Sequence, residues 1–416
     1  MHENASGDTR RGIRAVACCG GMVIVSGMER MSFEVLRVLK ENGAEVHCIL
    51  NSWENHRIQK LVESIGASWS TGYYWYRFDR HTRNPWKILQ LLWDVLMTSA
   101  GLLRDAFRFR ATHVFIPDHV SVLRNAPALL LLRALGRPVI VRLANHPERG
   151  RFYSFLWRSI MPPLATVYVQ ISDFSRQRAL EVGLPETKIR VIKNRVPRRV
   201  AGACDSDEAV LDLVRRRRTF VVVGQIAPFK GTHLAVEATL ALLKDGWDVQ
   251  LVVIGRKPEW PPEYASYYHS MVQSVSAGGQ LDRIHFVGES EGVLEILRES
   301  YLFLAPILQE ETFGTAFLEA KNAGLPIVGF RRGGIPEQVE HGVTGHLCDD
   351  ASAASLVEGI LKFLESSEAR EQASRAALTS MADPVCEFST AVFDRKWLEL
   401  FGLGARREVA GGGGTS

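Results

Sequence analysis

From residue 13 to about residue 200, short apolar runs alternate with stretches of helical period, the pattern of a parallel sheet whose strands are joined by crossover helices. Ala15 to Ala17, Glu45 to Leu50, Thr112 to Ile116, Pro138 to Leu143, Val167 to Ile171 and Ile189 to Ile192 read as strands. A helix over roughly Arg30 to Glu41 ends at Asn42-Gly43, where glycine accepts the left-handed stop. The polar segment from Pro197 through Asp212 predicts a linker. Beyond it the alternation restarts, with strands expected at Thr219 to Val223, Gln250 to Ile254, Ile284 to Val287, Leu302 to Pro306 and Pro326 to Phe330. Two doubly wound α/β halves follow. A last amphipathic helix is expected over about Phe388 to Leu400, and Gly404 to Ser416 reads as a flexible tail.

Composition narrows the class. The 416 residues are 46% apolar and 23% charged, ordinary globular usage and enough chain for two cores. The six cysteines show no CxxC or Cys/His ligand spacing and read as reduced thiols of a cytoplasmic protein. The stretch before Arg14 is polar and has no apolar core of a signal peptide, so export by that route is not expected. Net charge is +4, but residues 1–200 carry 30 Lys and Arg against 16 Asp and Glu, while residues 201–416 carry 20 against 30. The first half is therefore at +14 and the second at −10, which suits an anionic partner for the first half alone.

Trp86 to Leu103 approaches the ~20 residues of a membrane span. Lys87, Gln90 and Asp94 interrupt it, so a buried or interfacial helix is the better reading. Around it lie Tyr73 to Phe78 and the basic residues Arg77, Arg80, Arg83, Lys87, Arg104, Arg108 and Arg110. This mixture fits a membrane interface or a lipid-diphosphate acceptor, single-stranded nucleic acid, or a helix pair with core aromatics and solvated arginines.

The most informative stretch runs from Gln309 to Glu337. It reads as a strand end, a loop carrying Glu311, a helix opening near Gly314 and carrying Glu319, then a strand and a Gly-Gly turn. Main-chain N–H groups at Phe313, Gly314 and Thr315 would face out of the helix N-terminus, where free donors and the helix dipole favour a diphosphate or sugar oxygens. Two carboxylates so spaced can each accept hydrogen bonds from a diol, although a bare pair of glutamates is also a common solvated feature.

The run Glu311-x-Phe-Gly-x4-Glu319-Ala-x3-Gly-x-Pro-Ile-Val328, followed by Gly333-Gly-Ile-Pro-Glu337, resembles the donor-site signature of the retaining GT-B glycosyltransferases of the family-4 type. These are the glycogen-synthase-like and lipid-mannosyltransferase-like group 1 enzymes. Val222-Val-Gly-Gln-Ile-Ala-Pro-Phe-Lys-Gly231 is similar to the family's V-G-R…K-G loop, with Lys230 matching and Gln225 in place of the usual arginine. One charge of the diphosphate clamp is thereby missing, and Arg256 or Lys257 would have to supply it. Leu251 to Gly255 and Ile284 to Gly288 resemble the next two strands. Ser26-Gly-Met-Glu-Arg30 resembles the family's G-G-x-E-R entry, with Gly27 the retained glycine. Ile171 to Ser175 and Gly183 to Asn194 match the passage into the linker, after which Arg195 replaces a glycine.

The resemblance, over about residues 13–403, implies two Rossmann-like domains facing across a cleft. The expected organisation is an acceptor-binding domain over 1–200, a nucleotide-sugar domain over 201–385, a crossover helix over 386–403 packing on the first domain, and a tail over 404–416. It implies sugar transfer from a nucleoside-diphosphate sugar to a hydroxyl of a polysaccharide, glycolipid or lipid-linked acceptor, with retention and without a metal or other cofactor. Gly27, Gln225, Lys230, Phe313, Gly314, Thr315 and Glu319 would bind the donor, and Glu311, Lys230 and His146 would serve catalysis. His119 and Asp118, at the end of another strand, are secondary or acceptor-side candidates. A sugar-nucleotide 2-epimerase and a non-catalytic scaffold of the same architecture are the alternatives. No nucleic-acid partner is expected, and the place of action would be the cytoplasm, at the cytoplasmic face of an anionic membrane. Asp205-Ser-Asp207 spells the DxD of metal-dependent transferases but follows no strand. Neither a phosphate-binding G-x4-G-K-[ST] nor a G-x-G-x-x-G after the first strand occurs. His341 and His346 read as loop histidines.

Overall fold

The computed structural model describes residues 12–22, 27–53, 56–74, 85–198 and 208–403, which form two compact α/β units. The first unit takes in everything up to Ile171, Arg176–Ile192 and everything from Phe393; the second takes Ser172–Ser175 and Lys193–Val392. Asp205 and Asp207, the aromatic and basic positions from Trp75 to Arg83, Ser26, Cys204 and the tail from Gly404 lie outside the described residues.

In chain order the elements up to the end of the first sheet are β1 (Arg14–Cys18), α1 (Gly27–Glu41), β2 (Glu45–Leu50), α2 (His56–Ser64), β3 (Ser68–Thr71), α3 (Pro85–Arg108), β4 (His113–Ile116), α4 (His119–Arg124), α5 (Ala126–Ala134), β5 (Val139–Leu143), α6 (Arg151–Phe155), α7 (Met161–Leu164), β6 (Val167–Gln170), α8 (Asp173–Glu181) and β7 (Ile189–Val191). Then come α9 (Glu208–Arg215), β8 (Arg218–Val223), α10 (Thr232–Lys244), β9 (Val249–Ile254), α11 (Pro262–Ala277), β10 (Ile284–Gly288), α12 (Val293–Glu299), β11 (Leu302–Ala305), α13 (Thr315–Asn322), β12 (Ile327–Phe330), β13 (Gly345–Cys348), α14 (Ala353–Leu364), α15 (Ser367–Ala382) and α16 (Thr390–Leu400).

Both sheets are wholly parallel. The first has the order β3-β2-β1-β4-β5-β6-β7 and the second β10-β9-β8-β11-β12-β13. Parallel strands are covered on both faces, so their sequences are near-continuous apolar runs, as in β5 (VIVRL) and β9 (VQLVVI), every residue of which is buried. Along β1, Ala15 and Ala17 join a core with α1 and the C-terminal residues Phe393, Trp397 and Phe401, while Val16 and Cys18 join the opposite core with Leu102 of α3 and Leu129 of α5. Trp397 is fully buried, edge-on to Phe115 at 5.9 Å between ring centroids. The second sheet has the same two-sided construction.

Two edge strands escape the hydrophobic pattern. β3 (SWST) is mostly polar and exposed, and β13 (GHLC) is four residues long behind a glycine turn; both are held by pairing to β2 and β12 rather than by an apolar run. The Trp86 to Leu103 stretch lies within α3, and among the described residues no helix is long and apolar enough to cross a membrane. Cys18, Cys19, Cys48, Cys348 and Cys386 are free thiols.

In each sheet the strand order reverses once, between β1 and β4 and between β8 and β11. At such a switch point the connections leave in opposite directions and open a crevice beyond the strands' carboxyl ends.

Candidate functional site

In the second unit the chain leaves β8 through Gly224 and Gln225 and forms a 3₁₀ turn, Pro228–Lys230, before α10. Gly231 closes that turn at φ +67°, and a β-carbon there would lie 1.9 Å from the Pro306 carbonyl oxygen beyond β11. Only glycine permits this approach. Leu308 N donates to the Phe229 carbonyl at 3.0 Å, so the loops after β8 and β11 are stitched together by main chain.

The stitching brings Lys230 to Glu311, 81 residues later, with Nζ 2.5 Å from Oε2 and both side chains mostly shielded from water. Glu311 is held from behind by the Gly-Gly turn. Its carbonyl accepts from Gly334 N at 2.7 Å, and a β-carbon on Gly333, at φ +55°, would fall 2.2 Å from the same oxygen. Gln338 donates its side-chain amide to the Phe313 carbonyl, and buried Phe313 sits against Phe388. α13 then starts at Thr315 with Gly314 as its N-cap and no side chain capping the first turn. Its leading N–H groups are the free donors that bind anions. Glu319 follows one turn further along, half-buried.

Gln225 and Arg256 leave neighbouring strands side by side. The ladder that pairs Val223 with Ile254 continues through Gly224 N to the Ile254 carbonyl at 2.9 Å, and a β-carbon on Gly255 would lie 1.9 Å from the Gly224 carbonyl oxygen. Both side chains are exposed, and Arg256 makes no ion pair among the described residues. Glu337, the last residue of the Gly-Gly turn motif, has a scaffold role: it accepts from Asp173 N and Phe174 N at 2.9 and 2.7 Å and pairs with buried Lys193 at 3.1 Å. His341 Nδ1 accepts from Leu347 N at 3.0 Å, and His346 stands on β13. Among the described residues no group of three or more His, Cys, Asp or Glu is placed to hold a metal ion.

The first unit has its own opening at its switch point, a cavity of about 300 Å³. Its wall is made by Gly20 to Met22 after β1, Met28 and Glu29 of α1, Trp53, the stretch from Pro117 to Ser121, Arg124, and Asn145 after β5. Asp118 caps α4, accepting from Ser121 N and Ser121 Oγ at 2.7 Å each, and His119 beside it faces Trp157 at 6.2 Å between ring centroids. Asp118 and His119 are thus brought together in the wall. Gly27 opens α1 next to Met28. His146 follows Asn145 but is not part of the wall; its Nδ1 lies 3.2 Å from the Pro147 carbonyl, which leaves Nε2 with the lone pair when the ring is neutral.

Sequence reasoning missed Trp53, Glu29 and Asn145, which come from the segment after β2, the first turn of α1 and the loop after β5 and carry no shared spacing. It also passed over Arg142 as a structural element. This arginine is buried inside β5 and donates Nη1 to Ser32 Oγ at 3.1 Å and to the Met28 carbonyl at 3.4 Å, fixing the first turn of α1. Burial pushes its pKa down to about 10 against the opposing pull of Glu29. A lone arginine inside an otherwise apolar strand was the available signal.

Residues 205–379 match the model of the glycosyl transferases group 1, and residues 25–198 match that of glycosyltransferase family 4. An N-acetyl-alpha-D-glucosaminyl L-malate synthase of Bacillus anthracis is 27% identical over 199 residues, 46% of this chain and 47% of that protein. A phosphatidyl-myo-inositol mannosyltransferase of Mycobacterium leprae is 27% identical over 256 residues, 60% of this chain and 64% of that protein. The chain thus spans about half to two thirds of the length of these curated relatives. Among solved structures, Anabaena Alr3699/HepE in complex with UDP-glucose aligns with a TM-score of 0.75 at 16% identity, over 94% of this chain and 99% of the other. A glycosyltransferase from Rickettsia africae aligns at 0.74 and 16%, over 94% and 98%. The likeness of these two is one of fold, and the fold is GT-B.

Proposed function

The chain belongs to the group 1 glycosyltransferases, and from that premise we propose that it moves a sugar from a nucleoside-diphosphate sugar to an acceptor hydroxyl, with retention and without a metal. The observation that carries this reading is the Lys230–Glu311 pair, shielded at the switch point of the second sheet beside the uncapped start of α13. A cation paired with one carboxylate, a helix N-terminus and a second carboxylate one turn along that helix match the parts of a nucleotide sugar: diphosphate, ribose and hexose. The solved relative with UDP-glucose, and curated relatives that act as glycosyl transferases, support a nucleotide-sugar donor.

In this reading Lys230 and the amides of Phe313, Gly314 and Thr315 take the diphosphate, and Glu319 accepts from the ribose hydroxyls. The diphosphate draws Lys230 away from Glu311, freeing that carboxylate to orient the sugar hydroxyls. Arg256 stands in for the arginine that Gln225 replaces. Gly27 keeps the donor-binding role and His146 the catalytic role that the resemblance gives them. The acceptor oxygen bonds to the anomeric carbon as the carbon–phosphate-oxygen bond breaks on the same face, and the departing diphosphate takes the hydroxyl proton. Positive charge fixed where negative charge grows lowers the barrier because it needs no reorganisation during the step. The cavity of the first unit, with Asp118 and His119 in its wall, receives the acceptor, a polysaccharide, glycolipid or lipid-linked sugar at the cytoplasmic face of an anionic membrane.

The test is turnover of UDP-, GDP- and ADP-sugars with a lipid-linked acceptor in EDTA. Release of nucleoside diphosphate together with a product of retained anomeric configuration is expected. A strict metal requirement overturns the metal-free step, and donor isomerised without acceptor replaces transfer with epimerisation.

A further inference from the structure

α3 enters the core through the second half of its length. From Asp94 onward it is tied to the fold: the buried Asp94 carboxylate lies 3.6 Å from Arg124 Nε, Ser99 Oγ donates to the Arg124 carbonyl at 3.4 Å, and Leu102 and Ala106 enter the core. Its opening turns carry Trp86, Ile88, Leu89, Leu92, Trp93 and Leu96, each more than half exposed, with Trp86 at 73%. Large apolar side chains grouped so closely on an exposed surface mark an interaction site.

The arrangement around the helix identifies the partner. At about 100° per residue these six side chains fill one arc roughly 160° wide. Lys87, Gln90 and Asp94 take the opposite side. An arc this broad exceeds the narrow seam that a single partner helix covers and suits a planar apolar medium. Trp86 and Trp93 fall at the edge of the arc nearest Gln90 and Lys87, the level at which tryptophan settles between lipid tails and headgroups. The charge also agrees. Asp94 and Asp105 are buried and paired with Arg124 and Arg104, and the helix and the turn that ends it expose Lys87, Arg108 and Arg110. This lies in the half of the sequence that is at +14.

We propose that residues 86–96 of α3 seat in the headgroup and upper acyl layer of an anionic bilayer, with the apolar arc facing the lipid. Arg124, the partner of Asp94, also lines the cavity of the first unit, so the seated helix holds that cavity close to the membrane surface. This last step rests on the acceptor reading above; the docking itself does not.

The experiment is co-sedimentation of the full chain with vesicles of equimolar phosphatidylcholine and phosphatidylglycerol, with phosphatidylcholine vesicles as the comparison. Wild type and the variant Trp86→Ser/Leu89→Ser/Trp93→Ser are each measured, together with the oligomeric state and calorimetric donor binding. Expected are binding to the anionic vesicles that weakens with salt, a loss of roughly tenfold or more in the variant, and unchanged donor binding and thermal midpoint. Failure to bind the anionic vesicles overturns the proposal, as does a dimer of the wild type that the variant abolishes while vesicles are ignored. Equal binding to the neutral vesicles overturns the part given to charge. Vesicle binding without any donor binding leaves the docking standing and removes the proposed function instead.

Discussion

Both units gather candidate residues at the switch point of a parallel sheet, yet they build these places from different material. In the second unit the loops are stitched main chain to main chain, glycines occupy positions where a β-carbon would overlap a carbonyl, and two side chains, Lys230 and Glu311, face each other across the result. In the first unit the opening is lined by the side chains of Trp53 and Asn145 from two separate loops and of Asp118, His119 and Arg124 from α4 and its cap. A site made by main chain has few sequence solutions and leaves a spaced motif. A site made by side chains can change its occupants one at a time, which suits the unit proposed to meet the acceptor.

The comparison breaks most visibly if the glycines are interchangeable. Gly231→Ala sets a methyl group 1.9 Å from the Pro306 carbonyl oxygen at a left-handed φ and is expected to cost about 3 kcal/mol. Gly21→Ala in the wall of the first cavity meets only Ser121 Oγ at 3.3 Å and Asp118 Oδ2 at 3.5 Å, and should change stability by about 0.5 kcal/mol or less. Thermal midpoints of the two variants check this; equal losses would refute the contrast.

A smaller effect sharpens the role of charge in the second unit. Arg256→Ala should weaken donor binding about fivefold, the ~1 kcal/mol of an exposed ion pair, and Gln225→Arg should strengthen it by a similar factor. The double variant should return near wild type, because either cation reaches the same phosphates. Titration calorimetry distinguishes this from additive, unrelated effects.

The smallest effect concerns pH. Burial first, then Lys362, His341 and Arg331, hold His346 in the second unit down to about 4, whereas an unfolded histidine protonates near 6.5. The unfolded chain therefore takes up a proton that the folded chain refuses, and stability falls as pH drops from about 6.5 to about 4, then levels. His346→Gln should remove on the order of 1 kcal/mol of that loss, allowing for its partial exposure. Midpoints at pH 7 and pH 5 for both proteins provide the check, and a variant with the wild-type drop would contradict it.

Legibility in the sequence follows the same division. The interior strands of both sheets announce themselves because parallel strands are buried on both faces, while β3 and β13 do not because edge pairing needs no apolar run. The Gln309 to Glu337 motif located the second unit's loop, helix start and Gly-Gly turn, but not the contact of Lys230 with Glu311, which arises only when distant loops fold together. Asp118 was legible as a strand-end candidate, while its role as the cap of α4, three residues before Ser121, is seen only in the structure. The wall positions Trp53 and Asn145 had no such signal. For α3 the composition left interface and core both open, and exposure of its first turns separates them.

The central claim is that the second unit binds a nucleoside-diphosphate sugar through Lys230 and Glu319. Its most direct test is calorimetric titration of UDP-, GDP- and ADP-sugars into wild type, Lys230→Ala and Glu319→Ala, with EDTA present throughout. The account predicts that one nucleotide class binds the wild type and that each substitution weakens it at least tenfold, the loss of a charge-assisted contact. Absence of binding by every donor, or variants that bind as tightly as the wild type, would contradict it.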